Sequence, residues 1–303
     1  MNQTNLLNLR PLSVGELFDR AFRIYRNNFG IFLGIMLLTQ IPIYLFNIVL
    51  TTVAETAPNL TVGSNFENLF GTAIIASIIA LILSIIFFQI GSAALTKAVS
   101  DSYLGRKIGY WESFQRMGNS WATLIFASIV AGFIVFGLAI PVIILFFIPC
   151  IGPILGFIGA FIVGAIGNVL ISLVTPVVVL ERKGAIASVR RAWELAKHRF
   201  WWAFGYLFLL GLLSGLVILG PTAVIEFLFA TILGDTSSFF QIIVEQTSNS
   251  LLSAVFMPIR LAAITLMYFD LRIRFEGFDL AVLSATDDPL LDDASEFTTW
   301  NSL

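Results

Sequence analysis

The chain has 303 residues, of which 58% are hydrophobic and 12% charged, and its net charge is −2. A typical soluble domain has roughly 25% charged residues, so this composition excludes an ordinary soluble protein and indicates an integral membrane protein. Cys150 is the single cysteine and His198 the single histidine, which excludes an internal disulfide and a clustered metal site. We therefore expect no metal, no cofactor and no nucleic-acid partner.

Six apolar stretches reach the length of about 20 residues that a spanning helix needs. They cover roughly residues 29–53, 70–96, 121–148, 153–180, 200–233 and 242–269. The predicted fold is all-α: a polytopic membrane protein with six transmembrane helices that form three hairpins. We assign residues 1–280 to this domain and predict that the acidic residues 281–303 form a disordered cytoplasmic tail.

The positions of the basic residues predict the orientation of the chain. Of the 17 lysines and arginines, all except Arg260 lie on the same side as the two chain ends. Basic residues are retained in cytoplasmic loops. We therefore expect both termini in the cytoplasm.

A short amphipathic helix is predicted before each hairpin, in the cytoplasmic headgroup region. The first begins at Ser13, and Ser13 with Glu16 matches a capping box. The helices at residues 184–200 and, more weakly, 108–121 share its spacing of two aromatic residues seven positions apart. This pattern predicts a threefold structural repeat, although aromatic residues also gather at membrane interfaces by themselves.

The basic side chains of the first and third short helices are candidates for contact with anionic lipid. Each lysine or arginine near a cytoplasmic leaflet contributes about 1 kcal/mol of attraction. A role in fixing the topology explains the same residues, and both roles can coexist. The candidates are Arg20, Arg23, Arg26, Arg190, Arg191 and Lys197.

The fourth span carries small residues at every fourth position: Gly152, Gly156, Ala160 and Gly164. Small residues at this spacing let two helices approach closely in lipid. We therefore predict that this helix is the centre of the bundle. A binding groove along the same stripe is the alternative.

Arg260 is the strongest candidate for a functional residue. It lies about 18 Å along a helix from Arg272, which suggests a position near the middle of the bilayer. An arginine there costs about 2.5–3.5 kcal/mol on insertion scales, so we expect its charge to be neutralised inside the bundle. It could be a structural anchor bonded to carbonyls or to Gln89 or Asn168, a site for an anionic lipid or solute, or a snorkelling side chain.

Other polar residues within the spans give weaker signals. We interpret Gln40 and Asn47 as hydrogen-bond donors between helices, and Glu226 and Glu245 as solvated residues at the outer rim, with a cation site as the alternative. A Ser–His–Asp arrangement would require His198, which lies in a basic interfacial helix. With no phosphate-binding glycine loop either, we expect no enzymatic activity.

Three segments resemble a known family. RPLSVGELFDRAFRIYRNNF at residues 10–29 is similar to the opening segment of bacterial proteins related to the glycerophosphoryl diester phosphodiesterase membrane domain. LERKGAIASVRRAW at 180–193 resembles that family's central basic helix, and YFDLRIRFEGFDL at 268–280 its closing segment. The resemblance implies a multi-pass protein of the bacterial cytoplasmic membrane. We expect no phosphodiesterase activity, because the residues after 280 leave no room for the catalytic barrel.

The leading functional hypothesis is a non-enzymatic membrane module that binds lipid, including anionic lipid, or that assembles with partner membrane proteins or with itself. The alternative is a transporter or channel for a lipid-like or amphipathic solute. A transporter needs a polar cavity within the membrane. An enclosed polar cavity would therefore favour transport, and a dry, close-packed core would favour the module.

Overall fold

The structure, a computed structural model, describes residues 11–56, 66–149, 151–233 and 238–277. These ranges are helical apart from short connections, and no strand occurs within them. The predicted all-α fold is therefore confirmed. The predicted tail at residues 281–303 and Cys150 lie outside the described residues.

The helices follow a repeated order of one short helix and two long ones. The short helices are α1 (Val14–Asn27), α4 (Tyr110–Met117) and α7 (Ala185–Lys197). The long helices are α2 (Phe29–Thr56), α3 (Phe66–Tyr103), α5 (Ser120–Phe146), α6 (Gly152–Glu181), α8 (Phe200–Leu233) and α9 (Ser238–Glu276). The six long helices are long and apolar enough to cross a membrane. Together they make the chain a multi-pass membrane protein.

The central helix is α9, not α6 as the small-residue stripe predicted. In its most apolar stretch α9 is 61% buried, against 28% for α6. It packs against α1, α2, α3, α6, α7 and α8. Its residues from Leu261 to Leu271 are buried by these neighbours. The prediction failed because small residues show where one helix can approach another, not how many neighbours surround it.

Only half of the small-residue stripe on α6 is a packing surface. A Cβ atom added to Gly156 would lie 2.6 Å from the ring of Phe146 on α5, so this glycine permits close contact within the α5–α6 pair. Ala160 is exposed, and an added Cβ at the exposed Gly164 would meet no atom within 4 Å. Ala160 and Gly164 are therefore not used for close helix packing within this chain, because that part of the stripe is exposed.

The first short helix packs lengthwise on α9. Its capping box is present, since the Ser13 amide donates to Glu16 Oε2 at 2.8 Å and the Glu16 amide donates to Ser13 Oγ at 3.3 Å. The Leu12 amide donates to Asp270 Oδ1 at 2.7 Å, and the Tyr25 hydroxyl donates to the Val255 carbonyl at 2.9 Å.

These two α9 partners are separated by about 22 Å of helix, close to the length of α1 itself. The face of α1 that carries Leu17, Ala21, Ile24 and Tyr25 is accordingly buried by protein, whereas Phe22 on the other side is exposed. The position of α1 in the lipid headgroups stays a prediction.

Candidate functional site

A polar cavity of about 330 Å³ lies between α2, α8 and α9, with Phe88 of α3 also in its wall. Its lining contains one arginine, four amides and three serines. These polar residues are Arg260, Gln40, Asn47, Gln246, Asn249, Ser214, Ser250 and Ser253. The volume is within the range of about 300–1,000 Å³ that is usual for small-molecule sites.

The spacing of residues on the helices explains why these side chains meet. On α9 the lining recurs at three- and four-residue intervals from Gln246 to Arg260, which places it on one helical face; it is polar up to Ser253 and apolar at Phe256 and Met257. On α2, Gln40 and Asn47 are two turns apart and share a face. The α9 stripe is about 21 Å long. The hydrocarbon core of a bilayer is about 30 Å thick, so the polar stripe extends across most of it.

Gln40 and Asn47 do not have the role that the sequence suggested. Neither forms a side-chain hydrogen bond within the part of the chain that the structure describes, and both face the cavity. Gln246 and Asn249 are likewise without an intramolecular partner there. Unpaired amides are costly in hydrocarbon. These four side chains therefore require polar partners in the cavity, which water or a ligand supplies.

Arg260 is exposed to this cavity, and no described residue forms a hydrogen bond or ion pair with it. The proposed neutral partners lie elsewhere: Gln89 donates to Ser128 Oγ on α5 at 2.9 Å, and Asn168 lines a second cavity, of about 430 Å³, beside α8. Within the described residues, Arg260 is therefore not anchored by a protein carbonyl, by Gln89 or by Asn168. A ligand site and a snorkelling side chain are the two hypotheses that this part of the structure leaves.

The depth of Arg260 also differs from the sequence estimate. Tyr44 Oη and Thr247 Oγ1 are 2.8 Å apart and fix the register of α2 against α9. Measured along α2 from this contact, Phe29 at the start of the helix is about 22 Å away. Measured along α9 in the same direction, Arg260 is about 20 Å away. Arg260 therefore lies near the level where α2 begins, not at mid-bilayer.

The sequence estimate failed because it counted from Arg272 as though that residue marked the membrane boundary. The 39 residues of α9 span about 58 Å, nearly twice the hydrocarbon thickness. α9 is therefore longer than a single span requires, and its Arg272 end lies beside α1 and α7. Along α9, the amides of Gln246 and Asn249 lie on the opposite side of Arg260 from Arg272.

A second set of polar residues lies near the ends of α3, α6 and α9. Each of these helices has one buried carboxylate there: Asp101, Glu181 and Asp270. Asp101 Oδ2 is 3.2 Å from Arg116 Nη1 on α4, and Glu181 Oε2 is 3.1 Å from Arg191 Nε on α7. Asp270 accepts the hydrogen bond from the Leu12 amide, just before α1. Each carboxylate therefore joins a long helix to a short one.

The sequence analysis missed these three carboxylates. A signal for them is present in the sequence. Each carboxylate lies at or near the end of an apolar run and adjoins a segment of basic residues. Their common arrangement supports the threefold repeat better than the aromatic spacing does.

Glu181 is at the centre of the densest of these networks. Its side chain is 3% exposed and contacts Arg191 through both oxygens, Lys183 Nζ at 3.1 Å and the hydroxyl of Tyr268 at 2.9 Å. Arg191 also pairs with Glu276. Burial by itself would lower the pKa of the Arg191 guanidinium, but the two carboxylates outweigh burial and raise it. Arg191 therefore belongs to an internal network, which corrects its predicted contact with lipid.

The other predicted lipid contacts remain on the surface. The side chain of Arg190 is 83% exposed and pairs with Glu194 at 3.3 Å, and Arg20 is half-buried over the ring of Tyr103. Arg23, Arg26 and Lys197 are exposed, as is Glu245. The side chain of Glu226 is not among those described.

The chemistry available in the cavity follows from the side chains in its wall. Within the described ranges no three His, Cys, Asp or Glu side chains are grouped as metal ligands would be. The serines of the cavity have neither a histidine nor a carboxylate among the lining residues to activate them. What the cavity does supply is one positive charge and a set of neutral hydrogen-bonding groups.

Comparison with known families gives one match. The model of a domain of unknown function, DUF7847, matches residues 12–271, and the chain belongs to that family. No curated protein and no solved structure matches the chain. The resemblance to the phosphodiesterase membrane domain thus stays a prediction.

Proposed function

We propose that this member of the DUF7847 family is a non-enzymatic membrane module that binds an anionic lipid, or a lipid-like molecule, in the cavity between α2, α8 and α9. The observation that supports this function is Arg260, which faces that cavity without a protein partner. A guanidinium is always charged and its planar fork suits phosphate or carboxylate oxygens. A lipid phosphate would supply the counter-charge that the protein does not.

The depth of Arg260 agrees with this function. Phospholipid headgroups lie at the membrane boundary, and Arg260 lies near the level where α2 begins. Apolar side chains also line this cavity and would contact acyl chains: Ile43, Phe88, Ile218, Phe256 and Met257. A ligand with a polar head and apolar tails would therefore find a matching surface for both parts.

The surroundings of the short helices favour a cytoplasmic membrane with an anionic inner leaflet. Exposed basic side chains on α1 and α7, including Arg23, Arg26, Arg190 and Lys197, would add electrostatic attraction. In this proposal both termini are cytoplasmic, and the short helices lie on the inner side.

Native mass spectrometry of the protein purified in mild detergent tests the proposal. The wild type should retain anionic lipid, Arg260→Gln should lose it and Arg260→Lys should keep part of it, since lysine retains the charge but not the fork. Arg182→Gln is the matched control, because it removes one exposed arginine that lies away from the cavity and outside α1 and α7. An unchanged count of anionic lipid in Arg260→Gln would rule out the cavity as the binding site.

A transporter or channel for an amphipathic solute is the second candidate. The polar lining favours it, because the stripe on α9 extends about 21 Å through a hydrocarbon layer of about 30 Å. Proteoliposomes that contain a fluorescent anionic lipid distinguish the two functions. Transbilayer movement of the label that depends on Arg260 would favour transport, whereas retention without movement would favour the module.

A further inference from the structure

We infer that the end of the cavity farthest from Arg260 binds a sugar, that is, an uncharged ring with several hydroxyl groups. Five polar side chains line this part of the cavity, the amide end, and none of them is charged. They are Gln40 and Asn47 of α2 and Gln246, Asn249 and Ser250 of α9. The inference does not depend on a lipid at Arg260, because the two ends of the cavity are separate.

The five side chains meet at one level because of the register of α2 against α9. Tyr44 Oη and Thr247 Oγ1 are 2.8 Å apart. Measured along the two helices, each of the five residues lies within about 6 Å of this contact, whereas Arg260 is about 20 Å away. Phe256 and Met257 line the wall between the amide end and Arg260. A ligand the size of one sugar ring therefore contacts the amide end alone.

The hydrogen-bonding groups of the amide end match adjacent hydroxyls. Its four amides are half-buried and have no hydrogen-bond partner in the part of the chain that the structure describes. Each amide presents N–H donors beside a carbonyl acceptor. Two neighbouring hydroxyls of a sugar ring can accept from the one and donate to the other. No charged side chain lines this end, so an ionic ligand would be buried there without a counter-charge, which is costly.

The ring of Phe88, which also lines the cavity, favours a sugar over water. Asn28 Nδ2 donates to Ser102 Oγ at 2.9 Å, which sets the register of α2 against α3. Phe88 and Pro42 are each fourteen residues from this bond, so Phe88 is level with the amide end. A buried water needs two to four polar partners, and an aromatic wall supplies none. The C–H face of a sugar ring instead packs on the negative face of an aromatic ring.

The depth of the amide end gives a sugar access from one side of the membrane. Measured along α2 from Phe29, Gln40 is about 16 Å away and Asn47 about 27 Å away, within a hydrocarbon layer of about 30 Å. The site therefore extends from the middle of the bilayer to the boundary opposite the short helices. A free sugar or the headgroup of a glycolipid can enter from that boundary.

The test is a competition titration measured by native mass spectrometry in a detergent without sugar groups, such as a polyoxyethylene ether. The full-length protein is first delipidated, because a bound lipid whose acyl chains contact Phe88 would compete for the same wall. The probes are monoglucosyl diacylglycerol and its tetra-O-methyl derivative, which has the same acyl chains but no hydroxyl donor. The wild type should bind the first probe about tenfold more tightly, the effect of one or two neutral hydrogen bonds.

The double variant Gln246→Leu/Asn249→Leu tests whether the amide end produces this preference. It should reduce the preference to less than about threefold, because two of the four amides are lost. Asn168→Leu is the matched control, because that amide lines the other cavity, and it should keep the preference of the wild type. Thermal unfolding in detergent verifies that each variant is folded, and the comparison of the two probes on the wild type requires no variant.

Equal binding of the two probes to the wild type would overturn the inference and leave water as the occupant of the amide end. A preference that survives in the double variant would overturn it as well, since the sugar would then bind elsewhere. Both probes are uncharged, so neither result bears on the anionic lipid proposed at Arg260, which the lipid count of Arg260→Gln tests. Methyl glucoside, added as a water-soluble competitor, identifies the source: displacement of the glucosyl probe indicates that a free sugar is recognised, and no displacement indicates a glycolipid headgroup.

Discussion

The carboxylate of Glu181 offers the sharpest test of how the short helices are held. Replacing it with alanine removes the partner of Arg191 and Lys183 and the acceptor of the Tyr268 hydroxyl. Breaking a buried ion pair by removing one partner costs about 3–5 kcal/mol. We expect a destabilisation at the lower end of this range, about 3 kcal/mol. Arg191 retains its ion pair with Glu276, and the side chain of Lys183 is accessible to solvent.

Two further variants separate charge from packing. Glu181→Gln keeps the shape and an acceptor for Tyr268 but loses the charge, and we expect it to cost about 1–2 kcal/mol. Glu194→Gln is the matched control, since Glu194 lies on α7, the helix that Glu181 holds through Arg191, and pairs with the exposed Arg190. Exposed pairs of this kind contribute about 0.3–0.5 kcal/mol.

Equilibrium unfolding in mixed detergent micelles, followed by helix content, measures all three variants. The expected order of destabilisation is Glu181→Ala, then Glu181→Gln, then Glu194→Gln. If Glu181→Ala were no more destabilising than Glu194→Gln, the buried network would not stabilise the attachment of α7, and the reasoning would be refuted.

Three other perturbations follow from the structure. Gly156→Leu should lower the free energy of unfolding in detergent by about 1–3 kcal/mol through overpacking against α5, whereas Gly164→Leu should leave it nearly unchanged. Equal effects of the two substitutions would contradict the packing assignment. Asp270→Asn should speed hydrogen exchange in α1 relative to α5, because the tether to the Leu12 amide is weakened; unchanged exchange would show that α1 is held by its apolar face alone. An impermeant thiol reagent should label the native Cys150 from outside intact cells but should not label Arg190→Cys in a Cys150→Ser background, and the opposite pattern would reverse the proposed topology.

The sequence by itself determined the six long helices and the class of the protein. The length of each apolar run sets whether it can span a bilayer, and this property needs no knowledge of neighbours. The capping box of α1 was equally readable, because Ser13 and Glu16 are three residues apart and interact within one turn. Local features such as these are encoded over a few residues.

The tertiary structure alone decided which helix is central and where Arg260 lies. Lipid is as apolar as a protein core, so the long helices are apolar on every side and their periodicity does not mark an inner face. That α9 is central depends on the packing of six other helices around it. The depth of Arg260 depends on the register of α9 against α2, which the contact between Tyr44 and Thr247 fixes.

The candidate site was also beyond the sequence for a physical reason. Gln40 and Gln246 are more than 200 residues apart, and each by itself has the pattern of an ordinary helix–helix hydrogen-bond donor. Only the arrangement of α2, α8 and α9 shows that these amides face one cavity and that no described side chain pairs with Arg260. Similarly, Arg191 has the same local sequence context as Arg190, but the fold directs one toward Glu181 and the other toward solvent. Whether a charge is buried or exposed is a property of the packed bundle, because it depends on which face of α7 meets α6 and α9.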